Sequence, residues 1–373
     1  MQPLDTQLRT RIVHAENAID QLGELTAEAG FSKALVVTDP GIVAVGHVAR
    51  AIKALRQSNI DAFFFDGARE NPTTEHVNAG LIVAKDYQPD LLIGLGGGSS
   101  MDCAKGINFL YSCGGKMEDY WGVGKATGPM LPMFAIPTTA GTGSEMQSFA
   151  LISQTETHIK MACGDQRASC QIAILDPLLT LTQPPSVTAL TAIDALSHAV
   201  ETAVTTKRNE TSSLFSKNSW QLLSQNLAAV ILDPTDVAAR SAMQLGAAYA
   251  GVAIENSMLG AAHALANPLT ATFGTAHGQA VGLMLPHVVR FNGKHSSQCE
   301  ETYSSMGGSS EALAQTLTGF CKHVGLKTQL SEIGVNQEQL PKLAAAAAKQ
   351  WTGTFNPVPV DESSLLEIYK KAF

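Results

Sequence analysis

Charge is scarce in this sequence. Asp, Glu, Lys and Arg make up 16% of 373 residues, against about 25% in an average soluble domain. The shortage is greater on the basic side, with 25 Lys and Arg against 33 Asp and Glu and a formal net charge of −8. No basic run interleaves with aromatics, so a nucleic-acid partner has no electrostatic footprint. Six cysteines (Cys103, Cys113, Cys163, Cys170, Cys299 and Cys321) form no C-x-x-C pair. They are expected as reduced thiols rather than a disulfide framework. No uninterrupted apolar run approaches the roughly 20 residues of a spanning helix, so no membrane partner is expected. The opening stretch carries charges throughout and lacks the apolar core of a secretory signal, so a cytoplasmic location is expected. Nucleophilic catalysis lacks its signatures as well: there is no G-x-S-x-G elbow and no activated cysteine.

What is present is apolar and well patterned. Hydrophobic residues are 45% of the chain, which excludes disorder as the main state, and the length suits two packed domains. In the first half, apolar runs at Lys33–Asp39, Asp61–Phe65, Asp90–Leu95 and Met133–Ile136 read as strands. Helical patterns at Val43–Gln57, Thr74–Tyr87 and from Gly98 to about Leu110 separate them. Such alternation predicts right-handed crossovers and a parallel sheet with helices on both faces. Short strand-like pieces follow from Phe149 to Leu175, read as hairpins at the domain edge. Beyond Asp176-Pro177 and Pro184-Pro185 the pattern is helical. Helices are expected at Ser186–Thr205, Ser212–Ile231, Thr235–Glu255, Leu259–Leu265, Gln279–Phe291, Glu311–Val324 and Glu362–Ala372. The expected division is an α/β domain over 1–179 and an all-helical domain over 180–373.

Two polar, glycine-rich segments each follow a strand. Gly94-Leu95-Gly96-Gly97-Gly98-Ser99-Ser100 opens a helix, where backbone N–H groups and the helix dipole suit a phosphate. Ser99 stands where the common dinucleotide fingerprint needs glycine, so that motif is not met. Pro137-Thr138-Thr139-Ala140-Gly141-Thr142-Gly143-Ser144-Glu145 adds hydroxyls beside glycines, suited to a diphosphate or ribose. Asp39 ends the first strand. It either accepts hydrogen bonds from an adenosine ribose, favouring NAD over NADP, or merely initiates the turn at Pro40-Gly41.

Asp194 and His198 are four residues apart in an apolar helical stretch, so both side chains lie on one face and suit a single ion. The alternative is a local Asp–His pair. His263 and His277 lie downstream in small, apolar surroundings. One oxygen and three imidazole nitrogens suit Fe²⁺ or Zn²⁺ and suit Mg²⁺ or Ca²⁺ poorly. Spacing leaves open whether the two regions meet. The remaining histidines, His158 among them, read as structural or surface residues.

Taken in order, GGGSSMDCAK at Gly96–Lys105, PTTAGTGSE at Pro137–Glu145, LDP at Leu175–Pro177 and AIDALSHAVE at Ala192–Glu201 form a specific series. It continues through Ala261–Gly278 and LPHVVRFN at Leu285–Asn292. With these motifs the chain resembles the iron-containing (group III) alcohol dehydrogenases from about residue 30 to the C-terminal helix. The resemblance implies the dehydroquinate synthase-like fold of that family: an NAD-binding α/β domain, a helical metal domain and an active site in the cleft between them. It places the metal on Asp194, His198, His263 and His277. It places the cofactor diphosphate on Gly97, Gly98 and Ser99, with Thr138, Thr139, Thr142 and Lys160 flanking the cofactor and Asn71 near the adenosine side. Asp39 stands where NAD-preferring members carry an acid.

The implied activity is hydride transfer between a primary alcohol, or its aldehyde, and NAD, in a homodimer or larger homo-oligomer. Apolar residues such as Phe149, Leu151, Met258 and Leu259 hint at a short-chain substrate. Two positions depart from the family. Asn267 stands where many members carry a histidine thought to relay the alcohol proton, and an amide exchanges no proton near neutral pH. Gln147-Ser148 replaces a common Thr-Pro. Rival readings are an NAD- and metal-dependent lyase of dehydroquinate synthase type and a nucleotide-binding sensor without turnover.

Overall fold

A computed structural model describes residues 7–157 and 159–373; His158 lies outside the described residues. The described chain divides into two compact units. One runs to Thr139 and resumes over Gly143–Gln183; the other comprises Pro184–Phe373 and takes in Ala140–Thr142.

The first unit contains, in chain order, β1 (Arg11–His14), α1 (Leu22–Glu28), β2 (Lys33–Val37), α2 (Pro40–Ala44), α3 (His47–Gln57) and β3 (Asp61–Phe65). Then come α4 (Thr74–Tyr87), β4 (Leu91–Gly96), α5 (Gly98–Cys113), β5 (Gly122–Val123), β6 (Met133–Pro137), β7 (Phe149–Ser153), β8 (Lys160–Gly164) and β9 (Ile172–Leu175). Six strands form one parallel sheet in the order β1-β9-β6-β4-β2-β3. Its central strands are apolar without interruption because both faces are covered. Leu35, Val37 and Leu92 enter the core on one face, and Ala34, Val36, Leu91 and Ile93 enter the core on the other. That alternation is the two-residue period of a strand.

Several details differ from the sequence reading. The helix expected over 43–57 is two helices, because Gly46 adopts a left-handed φ of 86° that the continuous helix would forbid. Of the pieces between Phe149 and Leu175, β7 and β8 do pair antiparallel, with β5 alongside β8. β9 instead joins the main sheet between β1 and β6. β1 was not anticipated: a four-residue edge strand, RIVH, with no fully buried residue has little apolar pattern to show.

The second unit is helical: α6 (Pro185–Thr202), α7 (Glu210–Leu232), α8 (Val237–Asn256), α9 (Ala261–Phe273) and α10 (His277–His295) are followed by α11 (Ser297–Gly307) and α12 (Ser310–His323). Then come α13 (Leu340–Ala347) and α14 (Glu362–Ala372). One apolar core, from Ala192 and Leu196 on α6 to Tyr369 on α14, joins them. α9 continues through buried Pro268 instead of stopping at Leu265; packing of a buried face outweighs one lost backbone hydrogen bond. α11 and α13 are short additions that periodicity did not reveal. Among the described residues, no helix is long and apolar enough to cross a membrane.

Candidate metal centre and nucleotide-binding loops

Three helices of the second unit bring the sequence-predicted ligands together. Asp194 and His198 lie one turn apart on α6, both buried. α10 approaches α6 closely because it presents glycines there. A Cβ on Gly278 would stand 2.1 Å from the Leu190 carbonyl oxygen, and one on Gly282 would stand 2.5 Å from Ile193 Cγ2. That close approach carries His277, the first residue of α10, to Asp194. α9 supplies His263 from its first turn.

Asp194 Oδ1 is the centre of the cluster. It lies 3.4 Å from His198 Nε2, 3.7 Å from His263 Nε2 and 3.7 Å from His277 Nε2. Asp194 Oδ1 and His263 Nε2 are nevertheless buried without a hydrogen-bond partner. Orphaned polar atoms of this kind are costly unless a ligand satisfies them. An ion held at about 2.0–2.2 Å by tetrahedral ligands separates those ligands by roughly 3.3–3.6 Å. The observed separations fit co-ligands better than hydrogen-bond partners. The ligand atoms of Asp194, His263 and His277 all lie within 4.8 Å of one another. The His198 and His263 side chains are nearly closed off, whereas that of His277 is 37% exposed, so the cluster opens on the His277 side.

The electrostatics agree. Burial alone would raise the Asp194 carboxyl, but His198, His277 and His263 together hold it well below the usual carboxylate range. Burial would depress His263, yet the carboxylates of Glu201 and Asp194 push it up to about 9. Burial keeps His198 below its ordinary value, opposed by Asp194. Glu201, three residues beyond His198, was not singled out from the sequence as a site residue. Its carboxylate accepts from the Ala262 N–H at 2.7 Å and meets His263 Nδ1 at 2.5 Å. The available signal was its position: seven residues after Asp194, it returns to the same face of α6. Asn267 lies one turn after His263 on α9, and its Nδ2 donates to Gln350 Oε1 at 3.0 Å.

In the α/β unit, the residues expected around a nucleotide gather where β2, β4 and β6 end. Asp39 Oδ1 accepts the Ile42 N–H at 3.1 Å and so caps α2, while its Oδ2 accepts from Ser100 Oγ at 3.2 Å. Gly96 has φ 145°, and a Cβ there would stand 2.5 Å from Ser100 Oγ. Gly97 caps α5, whose first turn holds Gly98 and Ser99. A Cβ on Gly97 would touch Thr139 at 3.5 Å, and the Thr138 N–H donates to the Gly96 carbonyl at 3.0 Å. Strand ends followed by a helix N-terminus are the usual dinucleotide position in an open parallel sheet. Asn71 and Lys160 form a separate pair, with Nζ donating to Oδ1 at 2.9 Å. Thr142 belongs to the helical unit, where Gly141 packs so tightly that a Cβ would stand 2.4 Å from Thr191 Cβ.

Another cluster went unnoticed in the sequence. Lys105 is fully buried on α5, and its Nζ donates to the carbonyls of Ser144, Gln147 and Phe149 at 2.6, 2.7 and 3.1 Å. It also reaches Ser144 Oγ at 3.0 Å, and that hydroxyl in turn donates to Asp102. The departing residue Gln147 therefore has its backbone held by Lys105. The Ser148 carbonyl accepts the Asp165 N–H at 3.1 Å.

Comparison with known proteins follows the same division. The family model described as iron-containing alcohol dehydrogenase matches residues 9–177, and that for the C-terminal region of Fe-containing alcohol dehydrogenases matches 188–373. Alcohol dehydrogenase 4 of Schizosaccharomyces pombe is 35% identical over 356 residues, 92% of this chain and 83% of that protein. The NAD-dependent methanol dehydrogenase of Bacillus methanolicus is 31% identical over 370 residues, 96% of this chain and 97% of its own. A crystal structure of 1,3-propanediol oxidoreductase superposes with a TM-score of 0.93 at 31% identity, covering 100% of both chains. The chain belongs to the iron-containing alcohol dehydrogenase family.

Proposed function

We propose that the protein interconverts a primary alcohol and its aldehyde by hydride exchange with NAD, using a divalent ion on Asp194, His198, His263 and His277. One observation carries the reading: three imidazole Nε2 atoms surround a single buried carboxylate oxygen at co-ligand distances, with no hydrogen bond to it. Bound there, Fe²⁺ or Zn²⁺ would supply Lewis acidity toward an alcohol or carbonyl oxygen. The nicotinamide would supply the hydride chemistry. The chain's own residues bind and orient. Gly97, Gly98 and Ser99 offer backbone donors to a diphosphate, with Thr138, Thr139, Thr142, Lys160 and Asn71 around the rest of the dinucleotide. Asp39 favours the free ribose of NAD over the phosphorylated ribose of NADP.

Asn267, on the ligand-bearing α9 and held by Gln350, has no proton to relay and would act on the substrate as a neutral hydrogen-bonding group. The ligands are flanked by buried Ala192, Ile193, Ala195, Leu196, Ala261 and Ala262. This is poor ground for the basic residues that a phosphorylated, carboxylated lyase substrate would require. We assign nucleotide binding to 1–179 and metal chemistry to 180–373. The six unpaired cysteines support a cytoplasmic location. Exposed Phe63 and Phe64 on edge strand β3 support a homodimer or larger assembly.

The test is a metal determination on protein purified without chelator. NADH formation and consumption are then followed with short alcohols and aldehydes, before and after metal is stripped and Fe²⁺ or Zn²⁺ restored. Turnover should vanish with the metal and return with it. A protein that binds neither metal nor NAD would overturn the reading.

A further inference from the structure

Glu201 is 3% exposed, and its two oxygens have two different partners. Oε1 accepts the N–H of Ala262 at 2.7 Å, in the first turn of α9. Oε2 faces Nδ1 of His263 at 2.5 Å. Gly260 leaves space for this arrangement, since a Cβ there would stand 3.0 Å from Glu201 Oε1 and 3.1 Å from Asn356 Oδ1. A backbone N–H can only donate, and an ionised carboxylate can only accept. With Glu201 as a carboxylate, both oxygens accept, and the proton between Oε2 and Nδ1 is then the imidazole's. An imidazole with Nδ1 protonated carries its lone pair on Nε2, the atom that lies buried without a hydrogen bond 3.7 Å from Asp194 Oδ1.

We infer that Glu201 is a positioning residue that fixes His263 in its Nδ1–H form and so reserves Nε2 for the ion. The inference rests on the metal reading of the Asp194 cluster but is separable from it. A carboxylate behind a metal-bound imidazole both sets the ring's orientation and raises its basicity. The rival role is helix capping alone, with the Ala262 contact as the only one that counts.

Glu201→Gln separates the two. The glutamine keeps an acceptor oxygen for the Ala262 N–H, so a capping role survives. Its amide must then donate toward Nδ1, which puts the imidazole proton on Nε2 and removes the lone pair from the ion. We expect the metal-free variant to unfold at nearly the wild-type temperature and to bind Zn²⁺ about 10–100-fold more weakly in chelator competition. Glu201→Asp, which can only accept, should recover part of that affinity. Nitrogen-15 spectra of the metal-free proteins at about pH 10, where imidazole is neutral, should show His263 protonated on Nδ1 in wild type and on Nε2 in Glu201→Gln. Zn²⁺ affinity within twofold of wild type in Glu201→Gln would overturn the inference. So would a wild-type spectrum with the proton on Nε2, and that spectrum decides the matter even if neither variant folds. A wild type that shows Nδ1–H but binds no ion would instead sink the metal reading and leave the tautomer assignment standing.

Discussion

Two buried polar clusters, one in each unit, differ in what they leave undone. Lys105 places a charge at 0% exposure, and four oxygens of Ser144, Gln147 and Phe149 surround its three protons. Nothing there is left to bind a ligand, and the lysine pins the 144–149 segment to α5. Asp194 also buries a charge, among three histidines, yet its Oδ1 and the Nε2 of His263 remain without partners. A satisfied buried charge is architecture; an unsatisfied one, ringed at co-ligand distance, marks a place prepared for an ion. The residue types make Asp194 a ligand candidate and leave Lys105 unremarked, but they do not show which charge is satisfied. The hydrogen-bond inventory does.

The comparison breaks most directly with one substitution in each cluster. Lys105→Met removes the ammonium that bridges the Ser144, Gln147 and Phe149 carbonyls and should cost about 3–5 kcal/mol of stability, with or without metal, as read by denaturant unfolding. Asp194→Asn should behave in the opposite manner. Whatever it does to metal-free stability, the stabilisation gained on adding metal should disappear. That gain is about 4 kcal/mol in wild type at a thousandfold excess over the dissociation constant. If Asp194→Asn were still stabilised by Zn²⁺, or Lys105→Met lost stability only when metal was present, the contrast between the clusters would be wrong.

The same contrast explains how far the sequence could be read. The parallel sheet and most helices were legible because β2 and β4 are continuous apolar runs and helices such as α12 and α14 carry clean periodicity. The metal ligands were legible as candidates: Asp194 and His198 share a helix face by spacing alone. Their meeting with His263 and His277 came only from the family resemblance, since for His277 it depends on Gly278 and Gly282 letting α10 close on α6, a contact with no local signature. Glu201 and Lys105 were missed for a related reason. Each acts through partners tens of residues away, and within its own stretch each is one charged residue on a helix. Asp39 shows the opposite limit. The turn reading is met, because it caps α2; the ribose reading has behind it only the place of Asp39 at the β2 terminus beside Gly96 and Ser100.

Glu145 sharpens the comparison from a third direction, as a buried carboxyl near the lysine. Burial raises it to about 7 from an ordinary 4.5, with its own backbone N–H and Lys105 pulling it partly back. A carboxyl raised on folding binds more protons in the folded than in the unfolded chain. Its stabilising contribution is therefore complete below about pH 4.5 and is lost as pH rises through about 7. Glu145→Gln should match wild type near pH 4.5 and exceed it above pH 8 by at most about 3 kcal/mol in denaturant unfolding. A variant equal to wild type across that range would mean that the Lys105 cluster neutralises Glu145 as fully as it satisfies its own lysine.

The smallest effect is expected at Asp39, where capping and cofactor choice can be pulled apart. Asp39→Asn keeps a side-chain oxygen for the Ile42 N–H, so stability should shift by only a few tenths of a kcal/mol. It removes the negative charge that would repel a 2′-phosphate, so the preference for NAD over NADP should narrow about tenfold in kcat/KM, or roughly 1.4 kcal/mol. Asp39→Ala should show the same narrowing and lose about 1 kcal/mol from the missing cap. If both variants left the NAD-to-NADP ratio untouched while only alanine destabilised the protein, Asp39 would be a helix cap and nothing more. Cofactor discrimination would then have to be sought elsewhere at the ends of β2, β4 and β6, where the other residues proposed for the nucleotide, Gly97, Gly98, Ser99, Thr138 and Thr139, carry no negative charge to oppose a phosphate.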